Sequence, residues 1–265
     1  MTILYIGDVM GEMGLGVVEE VLPQLRRELR LDFVVAQSEN VSDGKGVTPA
    51  DFQRLRAAGV DFCSGGNWSL KQEAIVPLLA DPAQPVIRPA NYPAGTPGLG
   101  YKYAQTSQGD VLVVSLVGHI VGRDAETPTD NPLRVVDGIL ARESSHIRGA
   151  TIINFHGDYS SEKVVIGAYL DGRVTAVIGD HWHVPTADAR VLPGGTAHMT
   201  DVGMCGALDS SLGVSYGSII PRWRDGVRTR NQLAVSGRRQ FNALLVTADA
   251  AGRATAAEHI QQYIG

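Results

Sequence analysis

The chain begins with short apolar runs separated by segments of helical periodicity. Residues 3–6 are apolar at every position, which is typical of a strand buried on both faces. Residues 33–36 and 61–64 are predicted as the second and third strands. Between the first and second strands, residues 17–31 place apolar side chains at helical spacing with charges on one side. Repeats of strand, helix and strand of this length predict right-handed βαβ units and a parallel sheet.

The second helix is predicted from its ends. Thr48 is suited to be the N-cap, Pro49 stands at the first helical position and Asp51 falls in the first turn. Gly59 follows about three turns later, where a glycine commonly ends a helix. These residues predict a helix that begins after Thr48 and ends at Gly59.

The middle and the end of the chain complete an α/β pattern. Residues 81–100 contain five prolines, which predicts a loop. Further strands are predicted at residues 111–117, 151–154, 174–178 and 243–246, and a further helix at residues 132–147 with Asp130 or Asn131 as its cap. We therefore expect a single α/β domain over residues 1–265, with helices on both sides of a β core.

Composition excludes several classes of protein. The formal net charge is −5 and hydrophobic residues make up 44% of the chain, which indicates a globular protein without a broad basic surface. The only cysteines are Cys63 and Cys205, so a disulfide scaffold or a thiolate zinc site is not expected. The first residues lack a basic n-region, and no apolar run approaches the roughly 20 residues that span a bilayer. We expect a cytoplasmic protein that does not interact with membranes.

Side chains of the types that bind metals follow several predicted strands. Because the carboxyl ends of parallel strands meet at one edge of a sheet, we expect these side chains to lie in one crevice. Two carboxylates, two amides and three imidazoles form the set: Asp8, Glu39, Asn40, Asn67, His156, His181 and His183.

This donor set favours a pair of divalent metal ions. Oxygen and imidazole ligands without thiolates suit Mn, Fe or Zn, and seven candidates exceed what one ion needs. Two ions can activate water and offset the charge of a phosphate during its displacement. Taken singly, Asp8 could be a helix cap, and Glu39 and Asn67 could be turn residues. The spacing of His181 and His183 favours a metal more strongly, and the set together favours a dinuclear site.

Weaker signals allow other interpretations. Gly11, Gly14 and Gly16 resemble a dinucleotide-binding loop in the wrong order, which leaves a nucleotide-dependent oxidoreductase as a minor alternative. Trp68 and Tyr92 are candidates to stack on a substrate base, although packing would also account for them. Structural or surface roles are expected for the remaining histidines, which are His119, His146, His198 and His259.

Several motifs together resemble those of the bacterial YmdB-like phosphodiesterases, a branch of the calcineurin-like metallophosphoesterases. They are GDVMG (7–11), SEN (38–40), GGN (65–67), RPANYPAGTPG (88–98), NFHGDYSSEK (154–163), YLDGRVTAVIGDHWHVPTADAR (169–190) and TDVGMCG (200–206). The similarity extends to about residue 215, and NALLVTAD (242–249) resembles the family's final strand.

The resemblance implies a four-layer α/β/β/α fold with two divalent ions, iron or manganese first and zinc or magnesium as alternatives. It implies that Asp8, Asn40 and His183 bind one ion and that Glu39 bridges the two ions. The ligands of the second ion are completed by Asn67, His156 and His181. It further implies hydrolysis of phosphodiesters, including 2′,3′-cyclic nucleotides, by metal-activated hydroxide, with RNA as a further substrate and a homo-oligomeric, cytoplasmic protein.

Two residues depart from the family pattern. The family has a histidine after the Asn of its Gly-Asn-His motif, which is thought to protonate the leaving oxygen, whereas this chain has Trp68. Indole cannot serve as that acid, and general-acid catalysis typically contributes about 10²–10⁴-fold. Asp158 stands where the family tends to carry Glu. The alternative function is therefore a metal-containing regulatory or binding protein with weak catalysis.

Overall fold

The computed structural model describes residues 1–122 and 125–265. Its strands are β1 (Thr2–Ile6), β2 (Asp8–Val9), β3 (Phe33–Gln37), β4 (Phe62–Ser64), β5 (Tyr101–Ala104), β6 (Val111–Val117), β7 (Ala150–His156), β8 (Ala176–Asp180), β9 (Arg190–Val191), β10 (Ala197–Met199), β11 (Met204–Ala207), β12 (Arg239–Ala248) and β13 (Ala254–Ile264). Its helices are α1 (Gly11–Glu28), α2 (Pro49–Ala58), α3 (Val76–Ala80), α4 (Pro132–Arg142), α5 (Ser160–Tyr169) and α6 (Tyr216–Asp225).

The strands form two sheets. The first has the order β2-β11-β12-β1-β3-β4, and β13 pairs with the whole length of β12. In it, β1, β3 and β4 run parallel, whereas β12 is antiparallel to β1. The second sheet has the order β5-β6-β7-β8-β10-β9, with a parallel centre from β6 to β10 and an antiparallel strand at each edge.

Alternating side chains on these strands build three apolar layers. Ile3 and Tyr5 of β1 pack against Val113 of β6 and other residues of the second sheet, which forms the core between the sheets. Leu4 of β1 faces the opposite way and packs with α1 and α2. Leu112 of β6 likewise faces outward, toward α4 and α5. Because helices cover the outer face of each sheet and the inner faces pack on each other, the fold is a four-layer α/β/β/α sandwich, as the family resemblance implies.

The capping residues of α2 act as their sequence indicates. The Thr48 Oγ1 accepts a hydrogen bond from the Asp51 backbone N–H at 3.2 Å, and Pro49 opens the helix. Gly59 closes it in the left-handed conformation, with φ of 108°. Within the described ranges, no helix combines the length and the hydrophobicity that a bilayer span requires.

Some predicted boundaries are wrong. Helix α1 begins at Gly11 instead of residue 17, because Gly14 allows close packing: a Cβ there would lie 2.3 Å from the Cys205 carbonyl oxygen. The glycines of residues 11–16 therefore belong to a packed helix and not to a nucleotide loop. Helix α4 ends at Arg142, five residues before the predicted end. NALLVTAD lies in β12 and is followed by β13, the actual final strand, so its assignment as the last strand is wrong.

We expect Gly179→Ala to lower the free energy of unfolding by about 3 kcal/mol or more, because overpacking against backbone cannot relax easily. The added Cβ would lie 1.9 Å from the Thr200 carbonyl oxygen, where the chain leaves β10. The matched control is Gly138→Ala in α4, where a Cβ meets nothing within 4 Å. It should raise stability by about 0.5–1 kcal/mol through helix propensity. Urea unfolding of the metal-free protein measures both, and equal effects would contradict the close packing.

Candidate metal centre

Loops at one edge of both sheets carry the candidate ligands. The seven lie as follows: Asp8 at the start of β2, Glu39 and Asn40 after β3, Asn67 after β4, His156 at the end of β7, and His181 and His183 after β8. The turn from β1 to β2 packs closely against the segment that precedes β11, since a Cβ on Gly7 would lie 2.0 Å from the Gly203 carbonyl oxygen. Parallel strand ends and this tight turn bring the seven side chains together.

The first group consists of Asp8, Asn40 and His183. The His183 Nε2 lies 3.3 Å from the Asn40 Oδ1 and 3.7 Å from the Asp8 Oδ1. The His183 Nδ1 lies 3.1 Å from the Leu212 carbonyl oxygen, which can only accept, so Nδ1 carries the proton and Nε2 carries the lone pair. The Asn40 amide donates to the Gly44 carbonyl, which turns its oxygen toward the histidine. Three acceptor atoms therefore face one another.

Burial shifts the pKa values of the first group and leaves one of its oxygens without a hydrogen bond among the described residues. Burial lowers the pKa of His183 to about 4, so its ring is neutral near pH 7. The Asp8 Oδ1 is buried and has no hydrogen-bond partner among residues 1–122 and 125–265. Burial, followed by the nearby Asp180 carboxylate, raises the pKa of Asp8 well above its ordinary value. A cation among these atoms would supply the positive charge that the group lacks.

The second group contains Glu39, Asn67, His156 and His181. The His156 Nε2 lies 2.9 Å from the Asn67 Oδ1 and 3.0 Å from the Glu39 Oε1. The His181 ring meets the His156 ring edge-on, with 4.4 Å between centroids. One ligand atom from each of Glu39, His156 and His181 can be chosen so that all three lie within 4.8 Å of one another. The types and spacing of these donors fit a divalent cation.

Protonation of His156 balances this group when no cation is present. Burial by itself would lower the pKa of His156, but Glu39 and Asp180 together raise it well above its ordinary value. Burial would raise the pKa of Glu39, and His156 nevertheless holds it below the usual range. The Nε2 proton of a charged His156 therefore lies where a cation would bind, so a metal and this proton should compete.

A glycine and a backbone N–H place the Glu39 carboxylate. Its Oε2 accepts a hydrogen bond from the Trp68 N–H at 2.9 Å. A Cβ on Gly66 would lie 2.3 Å from the same oxygen and 2.5 Å from the His156 ring. Only glycine fits between these two side chains, so the Gly-Gly-Asn turn is shaped around the candidate ligands.

The two groups adjoin. Ligand atoms of Asp8 and His156 lie within 4.8 Å of each other, with an oxygen of Asp180 at the same range. The His181 backbone N–H also donates to the Asp8 Oδ2 at 3.1 Å. The structure thus brings the seven predicted side chains together in two adjoining groups, in which five are buried and Asn67 and His181 are half-buried.

Asp180 is a functional residue that sequence reasoning missed. Its Oδ1 lies 2.6 Å from the His156 Nδ1, and its Oδ2 accepts hydrogen bonds from the Tyr5 hydroxyl, the Gln37 amide and the Asn154 amide. Both oxygens are satisfied, so Asp180 is suited to orient His156 and not to bind a metal itself. An acidic residue at the end of a buried strand, directly before the His-x-His pair, was the signal for it.

A buried ion pair supports the loop of His181 and His183. The Lys163 Nζ lies 2.6 Å from the Asp201 Oδ2 and 2.6 Å from the Asp180 carbonyl oxygen, and 4.1 Å from the Trp182 ring centroid. The φ angles of His181 and His183 are 102° and 63°, in the left-handed region that non-glycine residues seldom adopt. Contacts behind the loop therefore hold a strained backbone that directs both histidines into the crevice.

A cavity of about 370 Å³ opens beside the second group. Asn67, Tyr92, His119 and Glu162 belong to its wall. Tyr92 is thus placed where a substrate group could contact it. Trp68 is outside the described lining of this cavity, and its ring lies 5.7 Å from the Lys45 Nζ. His119, expected in a structural or surface role, is exposed and belongs to the wall of the cavity.

Comparison with known proteins identifies relatives along nearly the whole chain. The sequence model of the YmdB-like protein family matches residues 4–260. The 2′,3′-cyclic-nucleotide 2′-phosphodiesterase of Bacillus subtilis (strain 168) is 36% identical over 249 residues, which cover 94% of this chain and 92% of that protein.

Solved structures with a similar fold are found as well. The crystal structure of a novel phosphatase from Mycoplasma pneumoniae has a TM-score of 0.91 at 26% identity and covers 100% of this chain and 94% of that chain. A 5′-nucleotidase precursor from Thermus thermophilus covers 100% of this chain and 54% of that chain with a TM-score of 0.62 at 12% identity. The second likeness shows the fold alone.

We expect the purified protein to bind two Mn²⁺ ions per chain after removal and return of metal. His183→Ala should lose the site of the first group and His156→Ala that of the second, each leaving one ion. At about 100 times its dissociation constant, each bound ion should add about 2.7 kcal/mol to the free energy of unfolding. Metal analysis after gel filtration gives the stoichiometry, with His198→Ala as a control histidine that is buried but bonded to the Val177 carbonyl. Unchanged metal content in both variants would exclude the two-group site.

Asp180→Asn should weaken metal binding about 10–100-fold while leaving the number of sites at two, because the variant disturbs a ligand's orientation and removes no ligand. Titration with Mn²⁺ by calorimetry measures the affinity. The control is Asp171→Asn, whose carboxylate accepts backbone N–H groups of Gly194 and Thr196. Loss of one whole site in Asp180→Asn would show that Asp180 is itself a ligand.

Proposed function

The chain belongs to the YmdB-like family, and on that premise we propose that it is a metal-dependent phosphodiesterase whose substrates include 2′,3′-cyclic nucleotides. The observation that carries this proposal is the convergence of buried acceptor atoms in two adjoining groups, around Asp8 and around Glu39. Similarity to a 2′,3′-cyclic-nucleotide 2′-phosphodiesterase supports the substrate class.

Seven side chains would hold two divalent ions. Asp8, Asn40 and His183 would hold one ion, Asn67, His156 and His181 would hold the other, and Glu39 would serve both. Iron or manganese fits this oxygen and imidazole set, with zinc or magnesium as alternatives. Such a pair of ions supplies a nucleophile from water near neutral pH and offsets negative charge on the phosphoryl oxygens.

The protein contributes orientation. The Leu212 carbonyl and the Asp180 carboxylate each bind the Nδ1 of one histidine, so the Nε2 atoms of His183 and His156 point into the crevice. Fixing these tautomers in advance means that little reorganisation is needed when substrate binds. The adjoining cavity of about 370 Å³ lies in the range of about 300–1,000 Å³ typical of small-ligand sites. Tyr92 on its wall would contact a base.

The residue at position 68 affects which substrates are expected to react. Trp68 cannot protonate a leaving oxygen, so esters with aryl leaving groups should depend least on this position. RNA as a substrate, assembly into a homo-oligomer and a cytoplasmic location stay predictions from the family resemblance.

We expect the Mn²⁺-loaded protein to hydrolyse bis-p-nitrophenyl phosphate and 2′,3′-cyclic AMP, and chelation to abolish both activities. Asp8→Asn and Glu39→Gln should each lower kcat by about 10²–10³-fold or more, since each weakens stabilisation of the transition state. Nitrophenolate release and nucleotide chromatography measure the two reactions. Asp137→Asn, which affects an exposed carboxylate paired with Arg173, is the control and should leave both rates unchanged.

A metal-containing regulatory protein is the second candidate, and Trp68 is the residue that favours it. It predicts two bound ions with turnover of neither ester in the wild-type protein. That result would contradict the phosphodiesterase proposal while leaving the metal centre intact. In that case Trp68→His tests whether an acid at this position restores hydrolysis.

A further inference from the structure

We propose that His119 donates the proton to the leaving oxygen and that Glu162 positions its ring, an inference that rests on the proposed phosphodiesterase function. His119 and Glu162 line the same cavity as the candidate ligand Asn67. The His119 Nδ1 lies 2.7 Å from the Glu162 Oε1. Trp68 stands where relatives are expected to carry the acid, so this pair supplies a chemistry that the centre otherwise lacks.

The topology keeps His119 close to the centre. Val117, the last residue of β6, is paired in the parallel ladder with the candidate ligand His156 of β7. The next residue, Gly118, donates its N–H to the His156 carbonyl at 2.8 Å. The His119 carbonyl then accepts the Asp158 N–H at 2.8 Å, and the Asp158 Oδ2 lies 3.2 Å from the His181 Nε2. Gly118, the neighbour of His119, therefore contacts His156, and His119 is connected to His181 through Asp158.

The carboxylate of Glu162 is committed to His119. Its Oε1 faces the ring and its Oε2 accepts the backbone N–H of the same residue at 2.8 Å. A Cβ on Gly118 would lie 2.6 Å from that Oε2, so a glycine is required for the carboxylate to reach this position. Glu162 lies in the first turn of α5, where an acidic side chain interacts favourably with the helix dipole. These contacts make a built pair rather than a chance surface contact.

Within residues 1–122 and 125–265, the second ring nitrogen of His119 has no hydrogen-bond partner. Because an ionised carboxylate can only accept, the Nδ1 of His119 donates to Glu162 and Nε2 is directed away from it. The ring stacks on Tyr159 with centroids 5.1 Å apart and an angle of 14° between planes. The His119 side chain is 69% exposed, so a bound ester can reach it. An oriented imidazole on a cavity wall is suited to general-acid catalysis.

The proton balance of the reaction is complete with this residue. In hydrolysis, a bond forms between phosphorus and a water oxygen, and the bond from phosphorus to the leaving oxygen breaks. The protonated His119 passes its Nε2 proton to that leaving oxygen, which becomes a hydroxyl group. The attacking water gives up one proton, which restores the charged ring through solvent. A 2′,3′-cyclic nucleotide yields one product, a phosphomonoester whose new hydroxyl stays on the same ribose, and no further reactant is needed.

The chain contains a natural control pair with the same parts. The His146 Nε2 lies 2.9 Å from the Asp110 Oδ2, and the His146 ring stacks on Tyr103 with centroids 4.0 Å apart. This pair lies before the first residues of β6 and β7, at the end of the sheet opposite to the candidate ligands. A histidine, a carboxylate and a stacked tyrosine are therefore present at both ends, and only one pair adjoins the centre.

The test compares leaving groups in three variants, His119→Asn, Glu162→Gln and the control His146→Asn, all loaded with Mn²⁺. For 2′,3′-cyclic AMP, whose leaving oxygen is an alkoxide, His119→Asn should lower kcat/KM by about 10²–10³-fold. For bis-p-nitrophenyl phosphate, whose phenolate needs little protonation, the loss should stay within about threefold. Glu162→Gln keeps a hydrogen-bond acceptor and removes the charge, so it should show the same selective loss at smaller size. His146→Asn should change neither rate.

The outcomes separate this inference from the proposed function. Equal losses of both activities in His119→Asn, or no loss in either, would overturn the role of His119 while leaving a phosphodiesterase. A wild-type protein that cleaves only the aryl ester would overturn it as well, because a working acid should support an alkoxide. If the wild type cleaves neither ester, the proposed function fails and this inference fails with it. Metal content and melting temperature, measured for each variant, separate a lost acid from a lost fold.

Discussion

The structure depends on a concentration of acceptor atoms, most of which are buried. Asp8, Asn40 and His183 turn lone pairs toward one another, and so do Glu39 and Asn67 toward His156. Such a set is costly in a protein interior unless positive charge offsets it. In the protein without metal, a proton on His156 does this for one group, whereas the Asp8 Oδ1 stays without a hydrogen bond among the described residues. A fold that maintains this arrangement is suited to binding cations.

Contacts between and behind the two sheets stabilise that arrangement. The Tyr5 hydroxyl of the first sheet donates to the Asp180 carboxylate of the second at 2.7 Å, so the apolar core between the sheets ends at a polar network beneath the centre. Lys163 and Asp201, both fully buried, pair behind the loop of the two histidines. Because a buried charge is tolerated only when paired and hydrogen-bonded, these contacts specify a single loop geometry. Stability and site preorganisation here rest on the same contacts.

The proposed chemistry of the site extends beyond the candidate metal ligands. Trp68 removes the family's acid from one wall of the crevice, and the pair of His119 and Glu162 stands on the wall of the adjoining cavity. A proton donor is defined by its position relative to the leaving oxygen and not by its place in a motif. The same catalytic requirement can therefore be met from a different strand when two walls face one bound substrate.

The sequence by itself determined the alternation of strands and helices, the caps of α2, and the residue types that follow the strands. These are local properties: apolar periodicity, capping side chains and turn residues act within a few positions. Tertiary structure alone decided that Asp180 orients His156, that Glu162 holds His119 across 43 positions, and that Gly66 must leave room for the Glu39 carboxylate. It also added β13, whose exposed polar side chains hide a strand pattern in the sequence. Hydrogen bonds between residues far apart in the chain depend on how the two sheets pack. Local sequence patterns do not contain that information.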